Sequence, residues 1–336
     1  MIHLDLFSGI GGFSLGLKEV FNIKQTYFSE IDKYAIDVYK HNFKNSTYVG
    51  SVTDVRGTEL PRINIITFGS PCQDFSMAGK RKGMDGKRSS LVLEAIRVIK
   101  ECRPDFFIWE NVKGTFSSNS GEDFTAILKA FNDIGGYRLE WQLLNTKWFL
   151  PQNRERIYLV GCLGKGSGQQ IFPISEVVKT FVEQGRGYKF VDVYNKKYRN
   201  LSPTLSDPCH NNIRLQVKST EKIIVCKKLN ENQQKKLDEL KVDPTISGTL
   251  TEAIGRGGSS SEYLSMLKKN QINTGSIRRL TPIECERLQG FPDDWTKTGK
   301  ELGTISDTQR YKMCGNAVTV DVVEAVAKKI ILALYN

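Results

Sequence analysis

The sequence is poor in the residues from which many active sites are built. Only three histidines occur in 336 residues, His3, His41 and His210, so a histidine triad or a histidine-rich metal centre has little to draw on. Seven cysteines, Cys72, Cys102, Cys162, Cys209, Cys226, Cys285 and Cys314, are scattered without a C-x-x-C pair. That spacing suits neither a disulfide framework nor a zinc site, and no metal is expected. Most of these thiols are expected to be small buried hydrophobes in a reducing compartment. No run approaches the roughly 18 consecutive apolar residues needed to span a bilayer. The opening MIHLDLF carries no basic stretch, no long apolar stretch and no small-residue cleavage site. No signal peptide and no membrane association are therefore expected, and the protein is read as cytoplasmic.

Positive charge is what the chain has in excess. Its formal net charge is +11 and its pI is about 9.2, which points to a polyanionic partner. Charge alone leaves a merely basic soluble protein equally open.

The first half alternates short apolar strands with helical patterns, as a parallel α/β sheet does. Strands are expected at Ile2–Phe7, Gln25–Ser29, Ile63–Phe68, Phe106–Trp109, Leu139–Leu144 and Ile157–Cys162. Leu91, Ala95, Val98 and Ile99 recur at helical spacing within Ser90–Lys100. Texture changes after Leu163, where Gly, Ser, Asn and Lys dominate and periodicity fades. The run Lys227–Lys241 mixes Lys with Glu, which favours a solvated helical face over a DNA contact. Helical patterns return at Pro282–Gly290 and Val318–Leu334. The organisation expected is one α/β domain, residues 1–162 plus 278–336, interrupted by a smaller irregular domain over 163–277.

Within HLDLFSGIGGF, a strand leads into Ser8-Gly9-Ile10-Gly11-Gly12 and then a helix. Glycines there permit a sharp turn and close approach of a ligand to the backbone. Glu30 ends the next strand, where an acidic residue can accept hydrogen bonds from ribose hydroxyls. The dinucleotide fingerprint is incomplete, because Ser14 stands at its third glycine position. A nucleoside-containing cofactor is the better reading over a purely structural turn.

Gly69-Ser70-Pro71-Cys72-Gln73-Asp74-Phe75-Ser76 follows the strand Ile63–Phe68, and open α/β sheets bind ligands beyond the carboxyl ends of their strands. Cys72 is thus displayed in the cleft, unlike the other six cysteines. Lys80, Arg81, Lys82, Lys87 and Arg88 follow it and can lower a thiol pKa or meet phosphates. Gly79, Gly83 and Gly86 make the segment a plausible lid. Glu110-Asn111-Val112 is read as leaving the end of strand Phe106–Trp109, so that Glu110 enters the same cleft as an acid. Gln152-Asn153-Arg154-Glu155-Arg156 adds two guanidinium groups, expected on one face of an extended segment.

DLFSGIGGF, SPCQDFS, ENV, QNRER, RRLTPIECERLQGFP and YKMCGNAV stand in the order found in bacterial DNA cytosine-5 methyltransferases of restriction-modification type. The chain resembles that family over nearly its whole length, and 163–277 corresponds to the family's variable target-recognition region. The resemblance implies an α/β, doubly wound, mostly parallel sheet of the Rossmann-like S-adenosylmethionine-dependent kind. It implies a catalytic and cofactor-binding domain over 1–162 plus 278–336, with a target-recognition domain over 163–277. It also implies transfer of a methyl group from S-adenosyl-L-methionine to C5 of a cytosine flipped out of double-stranded DNA.

Residue by residue, Cys72 is similar to the nucleophile that adds to cytosine C6, and Glu110 to the glutamate that holds N3 and the exocyclic amine. Arg156 is similar to the arginine at cytosine O2, with Arg154 in support. Phe7, Gly9, Gly11 and Gly12 match the methionine side of the cofactor pocket, and Glu30 and Ile31 its ribose and adenine side. Ser51, Val52, Leu91, Asn316 and Ala317 complete the pocket. Where the family often has Gly-Asp-Ile this chain has Gly50-Ser51-Val52, so Ser51 replaces an aspartate, with Asp54 as a fallback.

The alternatives are a transfer-RNA cytosine-5 methyltransferase and a catalytically silent DNA-binding protein. Against the first stands the absence of that group's Cys-Phe-Thr signature; against the second, the intact Cys72, Glu110 and Arg156. A monomer acting on DNA is expected, with a companion restriction endonuclease as a candidate partner.

Overall fold

Successive side chains of a strand fall on opposite faces of its sheet, and the long central strands of this chain are apolar on both. In the computed structural model the described residues are 1–71, 89–150, 152–164, 170–174, 189–192, 197–199, 202–203, 213–216 and 277–335. Strands of the larger sheet are β1 (Ile2–Leu6), β2 (Gln25–Ser29), β3 (Ser46–Tyr48), β4 (Ile65–Gly69), β5 (Phe106–Val112) and β6 (Tyr137–Asn145). After the short β7 (Gln152–Asn153), β8 (Glu155–Leu163) completes it. Helices are α1 (Gly12–Lys18), α2 (Lys33–Asn42), α3 (Ser89–Cys102), α4 (Glu122–Asn132), α5 (Pro282–Leu288), α6 (Asp307–Asn316) and α7 (Val320–Tyr335).

The seven strands run in the order β3-β2-β1-β4-β5-β8-β6. β3, β2, β1, β4 and β5 are parallel neighbours, whereas β8 runs antiparallel to both β5 and β6. Ile66, Phe68, Phe107, Trp109, Ile157 and Leu159 join one apolar core with Val92, Val98 and Ile99 of α3 and Phe124, Ile127 and Phe131 of α4. Ile65, Phe106, Ile108, Tyr158 and Val160 join the other, with Phe13 and Leu17 of α1 and Val322, Val323, Val326 and Ile330 of α7. Helices on both faces of a mostly parallel sheet make this a doubly wound, Rossmann-like α/β fold.

β1 departs from that apolar rule. Its two residues with the opposite alternation, His3 and Asp5, are fully buried, and so are Thr67 of β4 and Tyr39 of α2. They hydrogen-bond to one another and to Ser14 of α1.

The largest departure from the expected elements is β5. The sequence places a strand over Phe106–Trp109 with Glu110 leaving it, yet the strand continues to Val112. Antiparallel pairing with β8 extends that far, with Glu110 opposite Tyr158 and Val112 opposite Arg156. Glu110 is therefore a strand residue. At the other end of the chain, α5 starts where Thr281-Pro282 predicts. Thr281 Oγ1 accepts from the Glu284 N–H at 3.3 Å, and Glu284 Oε2 accepts from the Thr281 N–H at 2.7 Å, a reciprocal cap with Pro282 at the first helical turn.

Beyond β8, β9 (Lys189–Asp192), β10 (Lys197–Arg199), β12 (Ile213–Gln216) and β13 (Ile277–Arg279) form a second, antiparallel sheet in the order β10-β9-β12-β13. β11 (Ser202–Pro203) pairs with β7. The charged run Lys227–Lys241 lies outside the described residues. Among the described residues no helix is long and apolar enough to cross a membrane.

The two apolar cores leave little slack at β8. A Cβ on Gly161 would meet Phe107 Cε1 at 2.2 Å, and Phe107 is fully buried. Gly161→Ala is expected to destabilise the fold by about 1–3 kcal/mol through overpacking. An unchanged urea midpoint would show that Phe107 can move aside.

Candidate active site at the carboxyl edge of the sheet

Parallel β1, β2 and β4 end side by side, with Leu6 opposite Ser29 and Phe68. Strand order reverses between β1 and β4, and ligands of open α/β sheets bind where it does. Phe7, Glu30 and Ser70 leave the sheet along this one edge, and Glu110 reaches it opposite Gly69.

On the β1–β2 side the chain turns through left-handed backbone at Phe7 (φ 50°), Gly9 (φ 53°) and Gly11 (φ 87°). Glu30 fastens this turn. Its Oε2 accepts from the Gly9 N–H at 2.8 Å, and its Oε1 accepts from the N–H groups of Ile31 at 2.7 Å and Asp32 at 3.0 Å. The glycines serve different ends. A Cβ on Gly9 would meet nothing within 4 Å, which leaves its backbone open to a ligand. On Gly11 a Cβ would run into Phe43 at 2.3 Å, and on Gly12 into Val318 at 2.7 Å. These two are small because helix and C-terminal segment crowd them.

Ile31 is 78% exposed at the end of β2, an apolar side chain without protein cover. Open backbone at Gly9, a carboxylate at Glu30 and bare apolar surface at Ile31 fit an adenosine-bearing group. Ser51 is half-buried, with its Oγ 3.0 Å from Thr53 Oγ1, and Asp54 beside it is exposed. Val52 turns its side chain into the core, and its carbonyl accepts from Arg97 at 3.2 Å, so its contribution to a pocket is limited to backbone. Leu91 packs half-buried on the same core. Asn316 is exposed at the end of α6, and Ala317 after it is buried.

On the β4–β5 side, Gly69 lies opposite Glu110. A Cβ at Gly69 would come within 3.0 Å of Glu110 Oε2, so the bare backbone makes room for that carboxyl. Ser70 is pinned just beyond, accepting from Trp109 Nε1 at 3.0 Å and from Asn111 Nδ2 at 3.1 Å. Glu110 is 8% exposed and its Oε1 lies 3.1 Å from Arg156 Nε. Burial raises its pKa above the usual carboxylate range, opposed by the charges of Arg156 and Arg154. A cavity of about 260 Å³ adjoins Arg156, lined also by Val112, Lys113, Gly114, Asn153 and Glu155.

The two arginines expected on one face do different work. Arg156 faces Glu110, while Arg154, only 3% exposed, donates to the carbonyls of Gly315 at 3.2 Å and Ala317 at 2.8 Å. Arg154 thereby ties the start of β8 to the end of α6. Cys72 and the lysines, arginines and glycines of residues 73–88 lie outside the described residues. Two other thiols can be judged directly. Burial pushes both Cys102 and Cys162 up to about 11, far from a reactive thiolate. Sequence reasoning missed the anchoring of Ser70, although the two-residue spacing of Trp109 and Asn111 on a strand would have put both on one side.

The profile of the family described as C-5 cytosine-specific DNA methylase matches residues 1–332. Type II methyltransferase M1.ScrFI of Lactococcus lactis subsp. cremoris is 35% identical over 347 residues, covering 98% of this chain and 78% of that one. Type II methyltransferase M.NgoBI of Neisseria gonorrhoeae is 33% identical over 332 residues, covering 97% and 91%. Among solved structures, the S. pombe Dnmt2 methyltransferase superposes with a TM-score of 0.63 at 20% identity, each chain covered in full. At that identity the likeness speaks for the fold.

The geometry separates the arginines experimentally. Arg154→Ala strips the donors from two carbonyls it reaches from a buried position, at about 1–3 kcal/mol for each buried group left unsatisfied. It is expected to cost about 2–6 kcal/mol of stability in total. Arg156→Ala leaves Glu110 free to hold a proton instead and is expected to cost about 1 kcal/mol or less. Equal losses in calorimetric unfolding would contradict this division.

Proposed function

The chain belongs to the family of C-5 cytosine-specific DNA methylases, and from that membership we propose that it methylates C5 of a cytosine extruded from double-stranded DNA, through a covalent bond to Cys72. The observation that carries the assignment is the buried Glu110 carboxyl, facing Arg156 and lying against Gly69, three residues before Cys72. S-adenosyl-L-methionine supplies a methyl group on a positively charged sulfur. Phe7, Gly9, Glu30, Ile31, Ser51, Leu91, Asn316 and Ala317, with the backbone of Val52, are the residues proposed to hold it, and Gly11 and Gly12 shape the turn.

C5 of cytosine is a weak nucleophile while the ring is aromatic. Addition of the Cys72 thiolate to C6 removes that aromaticity and makes C5 electron-rich. Glu110 in its acid form donates to N3 as charge develops there, and its raised pKa favours that form. Arg156 is the proposed partner of O2, and Arg154 holds the Gly315–Ala317 end of α6 against the site. After C5 has taken the methyl group, loss of its proton and expulsion of Cys72 restore the ring. The target base is inaccessible inside a stacked duplex, so it is extruded at a cost of a few kcal/mol.

Residues 1–162 plus 278–336 are proposed as the catalytic domain and 163–277 as the reader of neighbouring base pairs. Base readout needs side chains that reach groove edges, and the polar 163–277 segment offers Arg256 and two Thr-Leu pairs, Thr204-Leu205 and Thr249-Leu250, outside the described residues. M1.ScrFI and M.NgoBI are type II methyltransferases, which favours a companion restriction endonuclease for this chain; it is proposed to act as a monomer in the cytoplasm.

DNA carrying 5-fluorocytosine at the target should trap a covalent complex, because fluorine at C5 blocks the final elimination. Cys72→Ser should abolish trapping and turnover while leaving cofactor affinity within about twofold. Full turnover by Cys72→Ser would overturn the assignment.

Exchange of 163–277 for the same region of a relative should transfer the relative's sequence preference, with Cys72-dependent trapping intact. An active chimera that still methylates the original sequence would move recognition into the core.

A further inference from the structure

Ser14 stands where the dinucleotide fingerprint has a third glycine, whose role is close packing of helix on strand. The structure gives the position another use. Ser14 Oγ donates to Asp5 Oδ2 at 2.7 Å and lies 2.6 Å from the Tyr39 hydroxyl. Asp5 Oδ1 accepts from Thr67 Oγ1 at 2.9 Å, and His3 Nε2 is 2.7 Å from the same hydroxyl. The five side chains come from β1, α1, α2 and β4, and none is more than 4% exposed.

Asp5 lies two residues before Phe7, and Ser14 two residues after Gly12. Their hydrogen bond therefore closes the base of the left-handed turn. Phe7 is not a glycine and holds φ 50° against its own Cβ, a conformation that persists only where the surroundings over-determine it. Tyr39 couples the clasp to the turn directly. Its hydroxyl meets Ser14, and its ring edge would lie 3.1 Å from a Cβ on Gly11. Burial pushes the Asp5 carboxyl up to about 7, and the hydroxyls of Ser14 and Thr67 are the principal groups opposing it. An acid set so deep in an apolar fold is expensive unless those partners are kept.

We propose that Ser14, Asp5 and Tyr39 are positioning residues for the cofactor turn: the clasp across its base holds the turn in the shape that binds the cofactor. This rests on the reading above that Phe7–Gly12 and Glu30 hold S-adenosylmethionine. None of the three need touch that ligand. Their effect falls on cofactor affinity, since none of the three lies on β4, which leads to Cys72, or on β5, which carries Glu110.

Ser14→Ala removes the central hydroxyl, and Tyr39→Phe removes only the outer one. Dissociation constants for S-adenosylmethionine would be measured by calorimetry on both variants, with kcat and KM for cofactor and DNA. Ser14→Ala is expected to raise the cofactor Kd and KM about five- to tenfold, as loss of one ordinary hydrogen bond does. Tyr39→Phe is expected to raise them about two- to threefold. For both, kcat at saturating cofactor and KM for DNA should stay within twofold. A cluster that merely stabilises the fold would lower the melting temperature and leave the cofactor Kd unchanged in both, and that result overturns the proposal. Should Ser14→Ala fail to fold, the Kd of Tyr39→Phe decides alone. Glu30→Ala in the same experiment tests the underlying reading. If it too binds the cofactor normally, the cofactor site itself is misassigned; if it weakens binding while the clasp variants do not, only the clasp is wrong.

Discussion

Antiparallel pairing of β8 against β5 is the constraint from which the catalytic side of the molecule follows. In an all-parallel sheet the end of β5 would meet the end of its neighbour, and both would lead away into loops. Here the carboxyl end of β5 meets the amino end of β8, so Glu110, on one strand's last turn of alternation, is brought beside Arg156, on the other's first. Arg154 lies one residue before β8 and reaches back to the carbonyls of Gly315 and Ala317. A single reversed strand thus joins an acid, its counter-charge and a segment distant in sequence.

The acid profits from this arrangement in a specific way. Burial drives Glu110 towards its neutral form, and two guanidinium groups pull it back. In the function proposed above, that balance suits a group that donates to a ring nitrogen beside an anionic substrate. The opposition leaves a carboxyl that can carry a proton without the surrounding charge being surrendered.

Much of the sheet was legible because its strands are apolar runs bounded by turns, and Gln25–Ser29 was found to the residue. The end of β5 was not, for Glu110 and Asn111 look like loop residues and become strand only through pairing with a segment far along the chain, as the register of Glu110 with Tyr158 shows. Of the candidate site, the glycine turn and Glu30 lie after strands as expected, whereas Glu110 lies within one. The division between Arg154 and Arg156 could not be read, since Arg154's partner Gly315 is 161 residues away. Val52 was assigned to the pocket by resemblance, and its side chain packs into the core, as an aliphatic group beside a sheet does. Ser14 marked itself as a departure from a known pattern, and its use emerged only when Asp5 and Tyr39 were seen around it.

The closeness of α1 to α7 bears on how the protein comes into being. A Cβ on Gly16 would touch Val323, and Gly12 is pressed against Val318. Trp295 Nε1 donates to the Ile10 carbonyl across 285 residues of sequence. The first βα unit emerges from the ribosome early, yet its apolar face stays uncovered until nearly the whole chain has been made. Contacts of such separation close late and slow folding. A prematurely terminated chain would therefore display Phe13 and Leu17 to solvent and lack the wall behind its glycine turn. The glycine turn thus gains its supporting wall only once α7 has docked on α1.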